Sequence, residues 1–203
     1  RYLARQDSRS LLVVGTGALS PCLIAAHCCR LPIEKVQVWG RRPDQAERVA
    51  SLFAAAEYRV EPVADLQQAV SSADIISCAT MATEPLIHGD WLREGQHIDL
   101  VGAFTPLMRE VDHQALRRAD IFVDTRGGAL SESGELVQAL REGVIAPDDI
   151  RGDFFQLTRG SCEGRRSKQQ ITLFKSVGTS LEDLAAAELA ASRFLNARDN
   201  QPA

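Results

Sequence analysis

The sequence predicts an α/β fold built on a doubly wound, mostly parallel sheet, and three observations carry that prediction. Short aliphatic runs alternate with amphipathic or Ala-rich stretches from residue 11 to about 125. The runs are short and rich in aliphatic residues, as buried strands alternating with helices are. The first of them, LLVVGTGALSP (11–21), drives into Gly-Thr-Gly and then directly into a helical pattern. Right-handed crossovers between such strands place helices on both sides of the sheet.

The elements follow in order. The opening RYLARQD (1–7) has helical composition and reads as the end of a helix that starts upstream. Strands are predicted at Leu11–Val14, Lys35–Trp39, Tyr58–Val63, Asp74–Cys78, His97–Val101 and Ile121–Asp124. Helical stretches lie between them at Ala18–Arg30, Pro43–Ala56, Asp65–Ser72, Gly89–Arg93 and Asp112–Arg118. Beyond Asp124 the rhythm changes. Ser131–Glu142 is one helix with Leu136, Val137 and Leu140 on a face, stopped by Gly143. RGSCEGRRSKQQ (159–170) is a polar loop, ITLFKSVG (171–178) a strand ending in glycine, and Ser180–Leu195 a long Ala-rich helix. The last residues, 197–203, are expected to fray.

Bulk properties narrow the function classes. The chain has 203 residues, 45% hydrophobic and 25% charged, ordinary for a globular protein with a sizeable core. A net charge of −4 offers no attraction to nucleic acid or an anionic membrane. No apolar run approaches the ~20 residues of a membrane span, and no signal peptide is present, so a cytoplasmic location is expected. The five cysteines form no C-x-x-C pair and are read as small buried hydrophobes in a reducing compartment. The four histidines lack ligand-like spacing, so no metal is expected. Arg159, Arg165, Arg166 and Lys168 have no interleaved aromatics and are read as solvated surface rather than a nucleic-acid site.

The glycine loop points to a dinucleotide. At a strand-to-helix turn, the first glycine allows the sharp bend, the second lets the backbone approach a pyrophosphate, and the third keeps helix and strand close. Gly15 and Gly17 fill the first two positions, and Ser20 stands at the third, where it is expected to loosen the packing slightly. Pro21 falls in the first helical turn, where its missing N–H has little consequence. The amides of Ala18 and Leu19 and the helix dipole remain available to an anion. GxGxxS alone is a weak signal; its place between a predicted strand and helix gives it weight, and a Rossmann-like domain over residues 8–170 follows.

The second strand chooses among dinucleotides. An acid near its end, about 20 residues past the loop, would hold a ribose 2′-hydroxyl. Gly40 occupies that position, and Arg41 and Arg42 follow. Guanidinium groups pair with a 2′-phosphate, so NADP(H) is expected ahead of NAD(H), with Asp44 as the one nearby acid that could act against it. The small residues Ala79 and Thr80 end the fourth strand, and Val101, Gly102 and Ala103 end the fifth. Both ends lie at the carboxyl edge where ligands bind in open α/β sheets.

GTGALSP, VWGRRPDQAERVA, ADIISCAT, HIDLVGAFTPLMREVD, FVDTRGGALSESGEL and ITLFKSVGTSLED together resemble the ornithine cyclodeaminase/mu-crystallin family, from residue 8 to about 190. The resemblance implies a Rossmann domain joined to a substrate domain that also forms a homodimer. It further implies that the N-terminal part of the substrate domain, with the lysine, arginine and glutamate that hold the amino or imino acid, is absent here, so no catalytic residue can be named. Residues 171–203 would then leave the nucleotide domain as a strand and helix returning toward that second domain. By the same resemblance Ser176 approaches the nicotinamide end, while Phe104, Val177 and Gly178 shape the substrate pocket.

Two departures separate the chain from the ornithine cyclodeaminases of the family. Where those resemble GGDCPGKTE, this chain has Phe104 for the aspartate and Met108 for the lysine, and it lacks their acid after the second strand. GAFTP instead resembles the bacterial pyrroline- and piperideine-2-carboxylate reductases. The resemblance thus implies NADPH-dependent reduction of a cyclic imino acid. Ornithine cyclisation, a related amino-acid dehydrogenase, and a non-catalytic NADP(H)-dependent binding protein like mu-crystallin remain as alternatives.

Overall fold

The computed structural model describes residues 1–199. Eight strands form one sheet: β1 (Ser10–Val14), β2 (Lys35–Trp39), β3 (Arg59–Pro62), β4 (Ile75–Cys78), β5 (His97–Leu100), β6 (Asp120–Val123), β7 (Ile150–Asp153) and β8 (Thr172–Lys175). Their spatial order is β3-β2-β1-β4-β5-β8-β6-β7, and the pairings are parallel throughout. The α-helices among the described residues are α1 (Leu19–Arg30), α2 (Pro43–Ser51), α3 (Leu66–Ser72), α4 (His113–Arg118), α5 (Arg126–Glu132), α6 (Gly134–Arg141), α7 (Phe154–Arg159) and α8 (Ser180–Asp199).

Both faces of the sheet are covered, which is why the central strands β1 and β4 are buried at consecutive positions. Leu12, Val14, Ile76, Ile98, Leu100, Val123 and Leu173 face α3, α4, α5 and α6. Leu11, Val13, Val36, Val38 and Ile75 face Ile24 of α1 and Ala46 and Val49 of α2. A small third cluster of Leu3, Phe122 and Leu157 closes the far end. Side-chain caps set several helix starts: Asp65 accepts the Gln68 amide at 2.9 Å, and Asp112 the Ala115 amide at 2.8 Å. Asp153 and Gln156 form a capping box at α7, which ends on Gly160 in the left-handed conformation at φ 74°.

Five expectations are corrected. The opening segment is irregular, not helical: the Ser8 amide and hydroxyl both bond the Arg5 carbonyl, closing a turn that competes with a helix. The strand expected to leave the sheet, β8, lies inside it, paired with β5 and β6, and only α8 departs. The single helix over 131–142 is two, because Ser133 ends α5 and caps α6. There Gly134 passes so near the Met108 carbonyl that a Cβ would meet its oxygen at 1.8 Å. Only Cys78 of the five cysteines is buried; Cys22 and Cys29 are exposed. Arg165 is not solvated surface: it donates to the carbonyls of Leu3 (2.6 Å), Gln96 (2.8 Å) and Gln170, tying the irregular N-terminal segment to the sheet.

Two elements, β7 and α7, were not expected. IRGDFFQLTR has one aliphatic residue in its strand, and β7 sits at the sheet edge, where burial demands less. Helix α8 continues into the stretch expected to fray; residues 200–203 of that stretch lie outside the described residues.

Candidate functional site

Because the strands are parallel, the loops singled out from the sequence meet at one edge, and their backbones touch in succession. Gly15, at φ 120°, donates its amide to the Trp39 carbonyl (2.9 Å). A Cβ there would lie 2.6 Å from the Ala79 carbonyl oxygen. Gly40 lies under the Thr16 methyl, so the end of β2 packs on the same loop. On the other side, a Cβ on Gly102 would meet the Thr80 carbonyl oxygen at 2.3 Å. The order along the edge is therefore Arg41 and Gly40, the glycine loop, Ala79 and Thr80, then Val101 to Ala103, with Ser176 to Gly178 beyond.

Gly17 differs from its neighbours: nothing lies within 4 Å of the place its Cβ would take. Gly17, Ala18 and Leu19 are exposed, and α1 begins at this point with no side-chain cap. An uncapped helix start that faces open space presents free amide donors and the positive end of the helix dipole. Ser20 corrects its expected role. It is fully buried, and its hydroxyl donates to the Gly15 carbonyl at 2.9 Å, so it ties helix to loop instead of loosening them.

Arg41 and Arg42 are exposed beside the loop, and neither forms an ion pair. Asp44 is in the first turn of α2, where the helix dipole favours it, and its carboxylate accepts from Gln45 at 2.6 Å. Phe104 is 48% exposed and Leu107 80%, so the rim beyond β5 is apolar. The hydroxyl of Ser176 is turned to Asp124 at 3.2 Å.

Sequence reasoning missed the buried charges beneath these loops. Lys175, the last residue of β8, is fully buried, donates to the Gly102 carbonyl and lies 3.6 Å from Glu135. Glu110 accepts the Thr80 amide (2.7 Å) and hydroxyl (2.8 Å), and its own amide donates to Glu135 (2.9 Å). Burial, reinforced by the Glu135 charge, pushes the Glu110 carboxyl up to about 7; burial also raises Glu135, against the pull of Lys175. The signal in the sequence was a lysine ending the apolar run ITLFK, which a purely structural strand has no use for.

A second group of buried or half-buried ionisable side chains is bonded to residues of the sheet. His27 and Ser77 share the Asp99 carboxylate, and burial lowers His97 to about 4, a neutral ring against Thr172. Among the described residues no group of His, Cys, Asp or Glu could hold a metal, and no helix is long and apolar enough to cross a membrane.

The known proteins it is similar to share this frame. The family model for the ornithine cyclodeaminase/mu-crystallin family matches residues 1–197. A delta(1)-pyrroline-2-carboxylate reductase of Paracoccus denitrificans is 44% identical over 186 residues, 91% of this chain and 59% of the relative. The solved structure of the Thermococcus litoralis delta(1)-pyrroline-2-carboxylate reductase, in complex with NADH and L-proline, superposes with a TM-score of 0.93 at 35% identity, over 96% of this chain and 61% of that one. An archaeal alanine dehydrogenase dimer with bound NAD reaches 0.91 at 27% identity, over 97% and 61%. The chain spans about 60% of the length of the curated relatives it matches. On this agreement of sequence and fold, the chain belongs to the ornithine cyclodeaminase/mu-crystallin family.

Proposed function

We propose that this chain is the coenzyme-holding part of an NADPH-dependent reductase of cyclic imino acids, ketimine carboxylates such as pyrroline-2-carboxylate or piperideine-2-carboxylate. The observation that carries the reading is the open space over Gly17 at the uncapped start of α1, with two unpaired guanidinium groups beside it. The amides of Ala18 and Leu19 would hold a pyrophosphate there. Arg41 and Arg42, next to Gly40, would take a 2′-phosphate on the adenosine ribose. Ala79, Thr80, Val101, Gly102 and Ala103 offer backbone without bulk along the path to the nicotinamide end, and Ser176 closes it.

When bound, the reduced nicotinamide supplies a hydride for the imine carbon next to the substrate carboxylate. A protonated C=N bond is already electrophilic, so what the protein must add is alignment and exclusion of water. Phe104 suits that role, being apolar, exposed at the rim and without a proton to exchange. Val177 and Gly178 would complete the wall of the same pocket. The relatives whose names carry the pyrroline-2-carboxylate reductase activity support this class of substrate.

The remainder of the substrate pocket would come from a second domain. Helix α8 leaves the sheet with Leu181, Leu184, Leu189, Phe194 and Leu195 all more than half exposed, and we assign it to the contact with that domain and with the second subunit of a homodimer.

The test is NADPH oxidation by the intact protein with pyrroline-2-carboxylate. Turnover that prefers NADPH to NADH supports the reading. Ammonia release from ornithine without imine reduction would replace it by cyclodeamination. Coenzyme binding without hydride transfer to any cyclic ketimine carboxylate would leave a binding protein.

A further inference from the structure

Glu110, Glu135 and Lys175 are at most 1% exposed and lie directly beneath the loops that end β4 and β5. The hydride transfer proposed above does not use them. Their bonding is uneven. Glu135 is satisfied by the Glu110 amide (2.9 Å), the Ser133 hydroxyl (3.2 Å) and Lys175 (3.6 Å). Glu110 uses only Oε1, which takes both bonds from Thr80, while its Oε2 is buried with no partner.

One ammonium thus serves two carboxyl groups. With both ionised, the cluster holds one uncompensated negative charge in a dry interior; with a proton on Glu110 Oε2 it is neutral. Nothing else packed against Glu110 supplies the missing charge. Cys78 on β4 is a thiol that burial holds protonated, Thr80 is neutral, Glu135 on α6 repels it, and Lys175 on β8 already faces Glu135 and the Gly102 carbonyl. Arg109, its neighbour in the chain, makes no ion pair with it.

Reduced nicotinamide is neutral and the oxidised ring carries a positive charge. A titratable carboxyl under the loops that hold the ring senses that difference through a low-dielectric medium. We propose that Glu110 is a positioning residue that holds Thr80 in either protonation state and gives up its Oε2 proton when the coenzyme above it is oxidised. The proposal rests on the coenzyme site assigned above. The proton leaves to solvent, and the acceptor Oε1 keeps both Thr80 bonds, so the loop need not move.

By linkage, affinity for the oxidised coenzyme must rise relative to the reduced one as pH passes through the titration of Glu110. The experiment titrates the intact protein with NADP+ and NADPH across about pH 6 to 8.5. In wild type the ratio of the two dissociation constants should move about tenfold in favour of the oxidised form, one unit of pKa displacement being tenfold. In E110Q, which keeps an acceptor for Thr80 but cannot ionise, the ratio should be flat. In E135Q, which frees Lys175 to pair with Glu110, the midpoint should move to lower pH, a response that a merely structural role would not give. A pH-independent ratio in wild type, or an unchanged dependence in both variants, overturns the proposal. Absence of binding by either coenzyme at every pH overturns the coenzyme site, and this inference with it.

Discussion

The carboxylate of Asp124, at the end of β6, accepts the backbone amide of Val177 at 2.7 Å. The same carboxylate takes the Gly178 amide (2.8 Å), the Ser176 hydroxyl (3.2 Å) and the Thr125 amide (2.6 Å), and it is almost fully buried. One side chain therefore fixes the turn that leads from the sheet to α8. Asp124→Ala leaves these donors without their acceptor and should lower stability by about 3 kcal/mol. Asp124→Asn, with a single acceptor oxygen, should fall between. Urea unfolding midpoints give the order, and an alanine variant as stable as wild type would show that the turn is held by other means.

Gly15 and Gly17 should respond oppositely to the same change. Gly15→Ala forces a side chain into positive φ and against the Ala79 carbonyl, so it should destabilise the fold by about 2 kcal/mol. Gly17→Ala meets no protein atom and should leave thermal unfolding within about 0.5 kcal/mol of wild type. Its methyl would occupy the space assigned to pyrophosphate, so coenzyme affinity should fall at least about tenfold. Retained affinity in Gly17→Ala would place the dinucleotide elsewhere.

Arg41 and Arg42 are exposed and unpaired, so removing their charge should barely affect folding. The double variant R41A/R42A should weaken NADPH binding by about 10- to 100-fold, as loss of one or two charge-assisted bonds does. NADH binding should change less than about threefold by the same reasoning. Fluorescence titration with both coenzymes measures the ratio; equal losses would assign the pair to a general surface potential rather than to the 2′-phosphate.

Ser20 gives a finer test of the loop. Ser20→Ala removes the bond to the Gly15 carbonyl and should cost about 1 kcal/mol. Ser20→Gly restores the usual third glycine yet should cost more, about 2 kcal/mol, because it loses the bond and adds backbone freedom in the first turn of α1. Denaturant unfolding of the two variants decides between this tie and simple close packing, which would make the glycine variant the more stable one.

Glu110 makes stability depend on pH with a definite sign. Its carboxyl is raised from 4.5 to about 7, so its contribution is fully present below about pH 4.5 and is lost as pH rises through about 7. The difference corresponds to about 3 kcal/mol at pH 8. E110Q, which binds no proton in that range, should therefore gain on wild type steadily between about pH 5 and 8. Parallel stability curves for the two proteins would contradict the buried ionisation.

How much of this was legible in the sequence differs by element. β1 and β4 announced themselves as short apolar runs, since strands covered on both faces are buried at successive positions, and β2 and β5 as aliphatic residues alternating with polar ones. β7 did not, because an edge strand with Gly152 and Asp153 carries little of that pattern. The break between α5 and α6 was equally silent. Local propensity lets a helix run through Ser133; the extended Ser133 that caps α6 and the approach of Gly134 to the Met108 carbonyl are set by the tertiary packing.

By itself the sequence determined the alternating strands and helices, the glycine turn and the arginines that follow β2. These depend on neighbours within a few residues, where backbone sterics and apolar periodicity act. Tertiary structure alone decided that β8 enters the middle of the sheet, that Ser20 ties back to Gly15, and that Glu110, Glu135 and Lys175 share one dry pocket. Those residues are far apart in the chain or bound through specific hydrogen bonds. Burial and electrostatic partnership arise only when the sheet has closed around them.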